Sequence, residues 1–224
     1  MSAEICRDRD NLYFYLRLYI YVSSFTPTET RAVSMLATLY VVRMLGLFMV
    51  LPLIAVYSAD MTGATPFLLG LAVGAYGLTQ STLQIPMGWL SDRIDRRWVI
   101  VFGLSLLMLG SVVAALSSSI WGVIAGRFLQ GAGAIASATM ALVADYTRAE
   151  QRAKASAIIG GSIAIAFGLA LVLGPTFANF GGLQGVFSVT ALLATAGIGV
   201  VCFLPKPDRR AAASRDAAVG FQRN

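Results

Sequence analysis

The stretch "GWLSDRIDRRWV", residues 88–99, lies between two long apolar runs, and five of the six residues from Asp92 to Arg97 are charged in a chain that is only 12% charged overall. Its surroundings set the terms for reading it. Of the 224 residues, 57% are hydrophobic, and the mean hydropathy is +0.74. Soluble domains carry roughly 45–50% apolar residues, so lipid is the solvent this composition fits. A hydrocarbon core about 30 Å thick takes about 20 helical residues to cross. Runs of that length occur at 34–57, 67–89, 98–118, 120–144, 155–178 and 184–204. They are far longer than the roughly 9–11 residues of a membrane strand and do not alternate in polarity, so they predict helices.

The early stretch Leu12–Val22 is interrupted by Arg17 and has no clear small-residue cleavage site, so it does not read as a cleaved signal, and it is too short to span. Cys6 and Cys202 have no metal-ligand spacing, and the chain contains no histidine. With no metal cluster and no nucleophile–base pair in view, an enzyme is not expected, and nothing calls for a cofactor.

The net charge of +6 could suit nucleic acid or a membrane surface, and placement decides between them. Lys and Arg number four before the first span, three in 90–97, three in 145–154 and five after the sixth span; the loops 58–66, 117–119 and 179–183 have none. A nucleic-acid patch would not be dealt out loop by loop. The positive-inside rule instead puts both termini and the second and fourth loops in the cytoplasm. That arrangement leaves Arg43 and Arg127 inside the membrane.

Read with its neighbours, the opening stretch gives Gly88, Asp92, Arg93, Arg96 and Arg97 at fixed offsets between the second and third spans. This resembles motif A of the major facilitator superfamily, Gly-x-x-x-Asp-(Arg/Lys)-x-Gly-(Arg/Lys)-(Arg/Lys). The segments "RMLGLFMVLP", "GLTQSTLQIPMGWLSDR", "GRFLQGAGAIASA" and "ALVADYTRAEQRAKA" are similar to the N-terminal half of bacterial drug-efflux-like antiporters of that family, over about residues 27–204. The resemblance implies an all-α membrane fold: six transmembrane helices as two inverted three-helix repeats, one half of the major facilitator fold. It also implies a cytoplasmic latch built on the motif A residues and joined by Asp145 through Arg93 or Arg96. Asp95 stands where the pattern has Gly; if that position needs a positive φ, Asp adopts it less freely than Gly does.

Buried arginines cost about 2.5–3.5 kcal/mol each at a helix centre on an insertion scale, so they normally face a bundle interior or a water-filled cavity. Arg43 lies about 13 Å into the first span from the cytoplasmic side; snorkelling towards headgroups is the alternative for it. Arg127, Gln130 and Gly131 match the family's R-x-x-Q-G pattern, whose arginine the resemblance places in substrate or proton handling. No acid lies deep in any span, so the polar partners to look for are Gln80, Gln84 and Gln130, carbonyls, water, an anionic ligand, or acids on another polypeptide segment. The echo of "RMLG" at 43–46 in "RFLQG" at 127–131 fits inverted repeats. Gly174 and Pro175 resemble the centre of the antiporter motif C and predict a kink in the fifth helix, although Ala170 replaces one of its glycines. Gly70, Gly74, Gly77, Gly122, Gly126, Gly160 and Gly168 predict faces for close helix approach.

Three segments follow: a cytoplasmic leader at 1–30, either interfacial or the product of a start codon set too far upstream; a six-helix transmembrane domain at 31–205; and a disordered cytoplasmic tail at 206–224. The expected function is that of the N-terminal half of a secondary transporter in the plasma (inner) membrane. It would move a small molecule by alternating access in proton-coupled efflux. Its expected partners are the bilayer, the substrate, protons, and a second six-helix half or a second copy. The alternative is a truncated, non-transporting remnant or a regulatory membrane subunit. Impermeant labelling of single cysteines introduced at Asp60 and Arg96 should modify them from opposite faces of the membrane; modification from one face would overturn this topology.

Overall fold

The computed structural model describes residues 25–57 and 61–204. Residues 1–24 of the leader, with Leu12–Val22 and Cys6, together with Asp60 and the tail at 206–224, lie outside the described residues. The elements are α1 (Pro27–Tyr57), α2 (Pro66–Arg93), α3 (Arg96–Leu116), α4 (Ile120–Ala132), α5 (Ala136–Tyr146), a 3-10 turn at Ala149–Gln151, and α6 (Arg152–Cys202).

Local chemistry explains where these helices start. Thr26 and Glu29 form a reciprocal capping box ahead of α1, the Glu29 amide donating to Thr26 Oγ1 (3.3 Å) and the Thr26 amide to Glu29 Oε2 (2.8 Å). Pro27 takes the first helical position, where its missing N–H costs nothing. The helix therefore begins before residue 34, the start of the apolar run. Thr65 caps α2 through the Leu68 amide (3.2 Å), Asp95 caps α3 through the Arg97 amide (3.0 Å), and Ser119 caps α4 through the Trp121 amide (3.3 Å).

The expected run 120–144 is interrupted after Ala132. Gly133 has φ −73 and ψ 44, and Ile135 has φ −97 and ψ 0. Backbone crowding accompanies the break: a Cβ at Gly133 would collide with the Gly103 carbonyl oxygen, and one at Gly131 with that of Tyr76. In α6 the non-helical pair is Gly181 (φ −151, ψ 19) and Gly182 (φ 59, ψ −155), the latter a region that essentially only glycine occupies. The chain reverses there. Before it, Ala155 shares an apolar cluster with Val33 and Gly174 sits against Met49; after it, Thr190 meets Gly46 and Gly197 meets Leu39, so the two arms run opposite ways along α1. Helical backbone continues past Pro175 to this break.

Two apolar clusters fill the bundle. One, at the end carrying Arg96 and Arg148, contains Leu36, Leu39, Ile100, Leu104, Leu142 and Ile159. The other contains Met49, Ile54, Ala72, Ile120, Val123 and Phe187. Between them, along α1, α3, α4 and the second arm of α6, fall the buried polar residues Arg43, Ser111, Arg127, Gln130 and Thr190. The result is an apolar–polar–apolar sandwich along the bundle axis.

Outward-facing large apolar side chains include Phe67, Ile85, Leu116, Val172, Phe180 and Leu192, as a lipid-facing surface requires. Among the described residues, four stretches are long and apolar enough to cross a membrane: Pro27–Tyr57, Arg96–Leu116, Ile120–Tyr146 and Ala149–Cys202. The α2 helix is not among them, because "TQST" at 79–82 and Gln84 dilute its apolar content.

The expected glycine faces divide sharply. Gly126 presses on α3, where a Cβ would stand 2.5 Å from the Gly110 carbonyl oxygen, and Gly122 faces Ser117 in its own turn. Added Cβ atoms at Gly70, Gly74, Gly77, Gly160 and Gly168 would meet nothing within 4 Å, so these five make no close approach inside the bundle. Gly126→Ala should accordingly destabilise the chain by about 1–3 kcal/mol, whereas Gly74→Ala should leave it unchanged or raise its stability by up to about 1 kcal/mol. Thermal unfolding of the two variants in detergent checks the contrast.

Candidate functional site

Two polar constellations are built on this frame, one buried at mid-height and one at the basic end. The buried one starts with Arg127, whose side chain has 0% exposure. Its Nε donates to the Ala72 carbonyl (3.3 Å) and its Nη1 to Gln130 Oε1 (2.9 Å). Gln130 passes the chain on, with Nε2 donating to Ser111 Oγ (2.8 Å), and Ser111 in turn donates to the Leu107 carbonyl (2.7 Å). The guanidinium carbon also lies 4.7 Å from the centre of the Tyr76 ring, a cation–π contact in a desolvated place.

Arg43 contacts the same tyrosine at its hydroxyl. It is 3% exposed, so it folds into the bundle instead of snorkelling out. Its Nη2 donates to Tyr76 Oη and to the Gly133 carbonyl, each at 3.3 Å. The interruption between α4 and α5 thus has a consequence for α1, since it turns a carbonyl towards Arg43. Tyr76 lies between two cations. Arg43 Nε and Nη1 and Arg127 Nη2 have no hydrogen-bond partner. The described acids, Glu29, Asp92, Asp95, Asp145 and Glu150, are all placed towards the basic end.

Gln80 and Gln84 do not join this layer. With Tyr76 they follow helical spacing along one face of α2 and line a cleft of about 260 Å³ together with Gly77, Ser81 and Ala136. Gln80 Oε1 and Gln84 Oε1 are both without a partner there.

At the basic end, Arg96 is the hub. Its Nη2 reaches Asp92 Oδ1 at 3.1 Å, and its Nη1 reaches Asp145 Oδ1 at 2.9 Å and the Ala141 carbonyl at 2.7 Å. Arg96 and Asp145 side chains are each 19% exposed, Asp92 67%; the Arg96–Asp92 pair, open to water on the Asp92 side, is worth about 0–1 kcal/mol. Arg93 is placed differently, its guanidinium carbon 3.9 Å from the Trp89 ring centre. Arg97 Nη1 donates to the Leu204 carbonyl, tying α3 to the end of α6. Gly88 lets α2 approach α5, where a Cβ would stand 3.1 Å from Ser137 Oγ. Asp95 has φ −62, so the position needs no left-handed backbone, and the carboxylate serves as the cap of α3. Gly174 gives α6 its close approach to the α1 backbone, 3.2 Å from Met49 O to an added Cβ.

Several participants escaped the reading of residue types alone. Tyr76 carried a signal in its four-residue spacing from Gln80, and Glu29 in the Thr-x-x-Glu pattern at 26–29. Ser111 carried none that separates it from other small polar residues in apolar helices.

The model of the Major Facilitator Superfamily matches residues 36–222. The chain is 52% identical over 179 residues to the inner membrane transport protein YajR of Escherichia coli (strain K12), covering 80% of this chain and 39% of that protein. It is 32% identical over 157 residues to the tetracycline resistance protein, class B, of Escherichia coli, covering 68% and 38%. The chain therefore spans less than half the length of these relatives. In fold it is similar to the human organic anion transporter MFSD10 (TETRAN), with a TM-score of 0.66 at 21% identity over 80% of this chain and 48% of that one. On the family match and the extent of these identities, the chain belongs to the Major Facilitator Superfamily of multi-pass membrane transporters.

Proposed function

We propose that the chain is the N-terminal six-helix half of a secondary transporter that exports a small molecule by alternating access, coupled to protons. The crossings are α1, α2, α3, the α4–α5 pair and the two arms of α6, arranged as two inverted three-helix repeats with both termini cytoplasmic. The observation that carries the reading is the desolvated layer of Arg127, Gln130, Ser111, Tyr76 and Arg43, with donors left over and no acid of its own. Intramembrane cations of this kind mark substrate and ion pathways. Arg43, Arg127 and Gln130 then act on the substrate or proton route, and Gln80 and Gln84 line its edge.

The open glycine face of α2 (Gly70, Gly74, Gly77) and that of α6 (Gly160, Gly161, Gly168) support a second six-helix half or a second copy as the missing neighbour. The network of Gly88, Asp92, Arg93, Arg96, Arg97 and Asp145 is the cytoplasmic latch between the halves. Individually weak pairs suit it, because two states within a few kcal/mol of each other are needed for cycling. Gly174 and Pro175 supply the flexing point of the fifth helix.

Reconstitution of this chain with a six-helix second half in proteoliposomes tests the proposal: substrate flux should follow an imposed proton gradient, and inserted protein without gradient-driven flux would favour a non-transporting subunit instead. In that assembly Arg127→Lys should lower flux at least about tenfold, since an ammonium cannot reproduce the forked contacts to Ala72 and Gln130. Asp92→Asn should change flux by up to about fivefold, the limit set by an exposed pair, with insertion unaltered. Unchanged flux in either variant, measured beside expression level, would remove that residue from the mechanism.

A further inference from the structure

One strongly bonded charge pair plays no part in either constellation. Glu29 sits in the first turn of α1, and a capping-box carboxylate in that position ordinarily faces water; here it is 4% exposed. Its Oε1 accepts from the Arg148 amide (2.8 Å) and Arg148 Nε (3.1 Å), and its Oε2 accepts from Arg148 Nη2 (3.2 Å), the Thr26 amide (2.8 Å) and Thr26 Oγ1 (3.0 Å). Five donors converge on one carboxylate, two of them the fork of a guanidinium.

Arg148 belongs to the turn between α5 and α6, three residues after Asp145. That short segment is itself stiff. Thr147 is 5% exposed, with its amide (3.1 Å) and hydroxyl (2.8 Å) both donating to the Val143 carbonyl, and the Gln151 amide donates to the Arg148 carbonyl at 2.9 Å. Ion pairs run from Asp92 to Arg96 to Asp145 and, separately, from Arg148 to Glu29; only the three-residue step of chain from Asp145 to Arg148 at the end of α5 separates the two sets, which together reach the starts of α3 and α1. The same α1 carries Arg43, about 21 Å further along its axis, which holds the Gly133 carbonyl at the other end of α5.

We infer that Glu29 and Arg148 are positioning residues: they fasten the α5–α6 turn to the start of α1, so that making or breaking the Arg96–Asp145 contact moves α1, and Arg43 with it, as one piece with α5. This rests on the transporter reading for its consequence and on geometry alone for the fastening.

Glu29→Gln separates the fastening from simple helix capping, because glutamine still completes a capping box while the charge that holds the guanidinium is gone. Spin labels at Thr28→Cys and Glu150→Cys, in this chain with Cys6 and Cys202 replaced by serine and reconstituted with a cysteine-free second half, report the distance between α1 and the turn. Glu29→Gln should broaden that distance distribution and lower kcat about three- to thirtyfold with KM unchanged, the span of couplings carried by such networks; Arg148→Lys should fall between wild type and Glu29→Gln in both readouts. An unchanged distance would overturn the fastening, and a broadened distance with unchanged kcat would overturn the coupling. A wild-type protein without flux would refute the transporter reading, leaving the distance to decide the fastening.

Discussion

A guanidinium with no exposure to solvent, far from any described carboxylate, is the constraint around which this bundle is organised. Arg127 is held by one carbonyl, one amide oxygen and the face of a tyrosine. Each of these must be supplied from a different direction, by α2 and by α4 itself, and Gln130 must in turn be oriented by Ser111 of α3. The close approach of α3 and α4 at Gly110 and Gly126 is what brings Ser111 and Gln130 within reach. Arg43 extends the layer to α1 and makes use of the carbonyl turned out at Gly133. Apolar packing above and below isolates the layer from water, which raises the worth of each bond and the cost of each donor left over.

The basic end obeys different physics. Two of its ion pairs share a single hub in Arg96, and the one to Asp92, open to water, contributes little to stability. The exception is Glu29, whose burial and five donors make it the firmest contact among the charged residues of that end. On the proposed coupling, the Arg96 hub is the part that rearranges and the Glu29–Arg148 pair the part that carries the rearrangement.

How much of this was legible in the sequence depended on the scale of the signal. The membrane class, the helical elements and the break at Gly181–Gly182 follow from run length and composition, which average over many residues. The role of Arg96 as hub followed only to within one choice, since Arg93 and Arg96 have the same charge and nearby positions; the face of α2 and the Trp89 ring decide it. At Asp95 the condition raised by the missing glycine is not met: the backbone has φ −62, and the carboxylate serves as a helix cap, which the motif comparison alone did not suggest. The interruption at Gly133 was hidden because the run 120–144 is apolar throughout, and the crowding with Gly103 that accompanies it comes from a helix thirty residues away in sequence. Gly70, Gly74, Gly77, Gly160 and Gly168 look like packing glycines by type, but type does not say whether the neighbour belongs to the same chain.

The central claim is that this half moves as a body against a second half between two states. The direct measurement is the distribution of distances between a spin label at Glu150 and one on the matching loop of the second half, in the reconstituted protein across a range of proton gradients. The account predicts two populations whose ratio shifts with the gradient. A single distance that does not respond would contradict it.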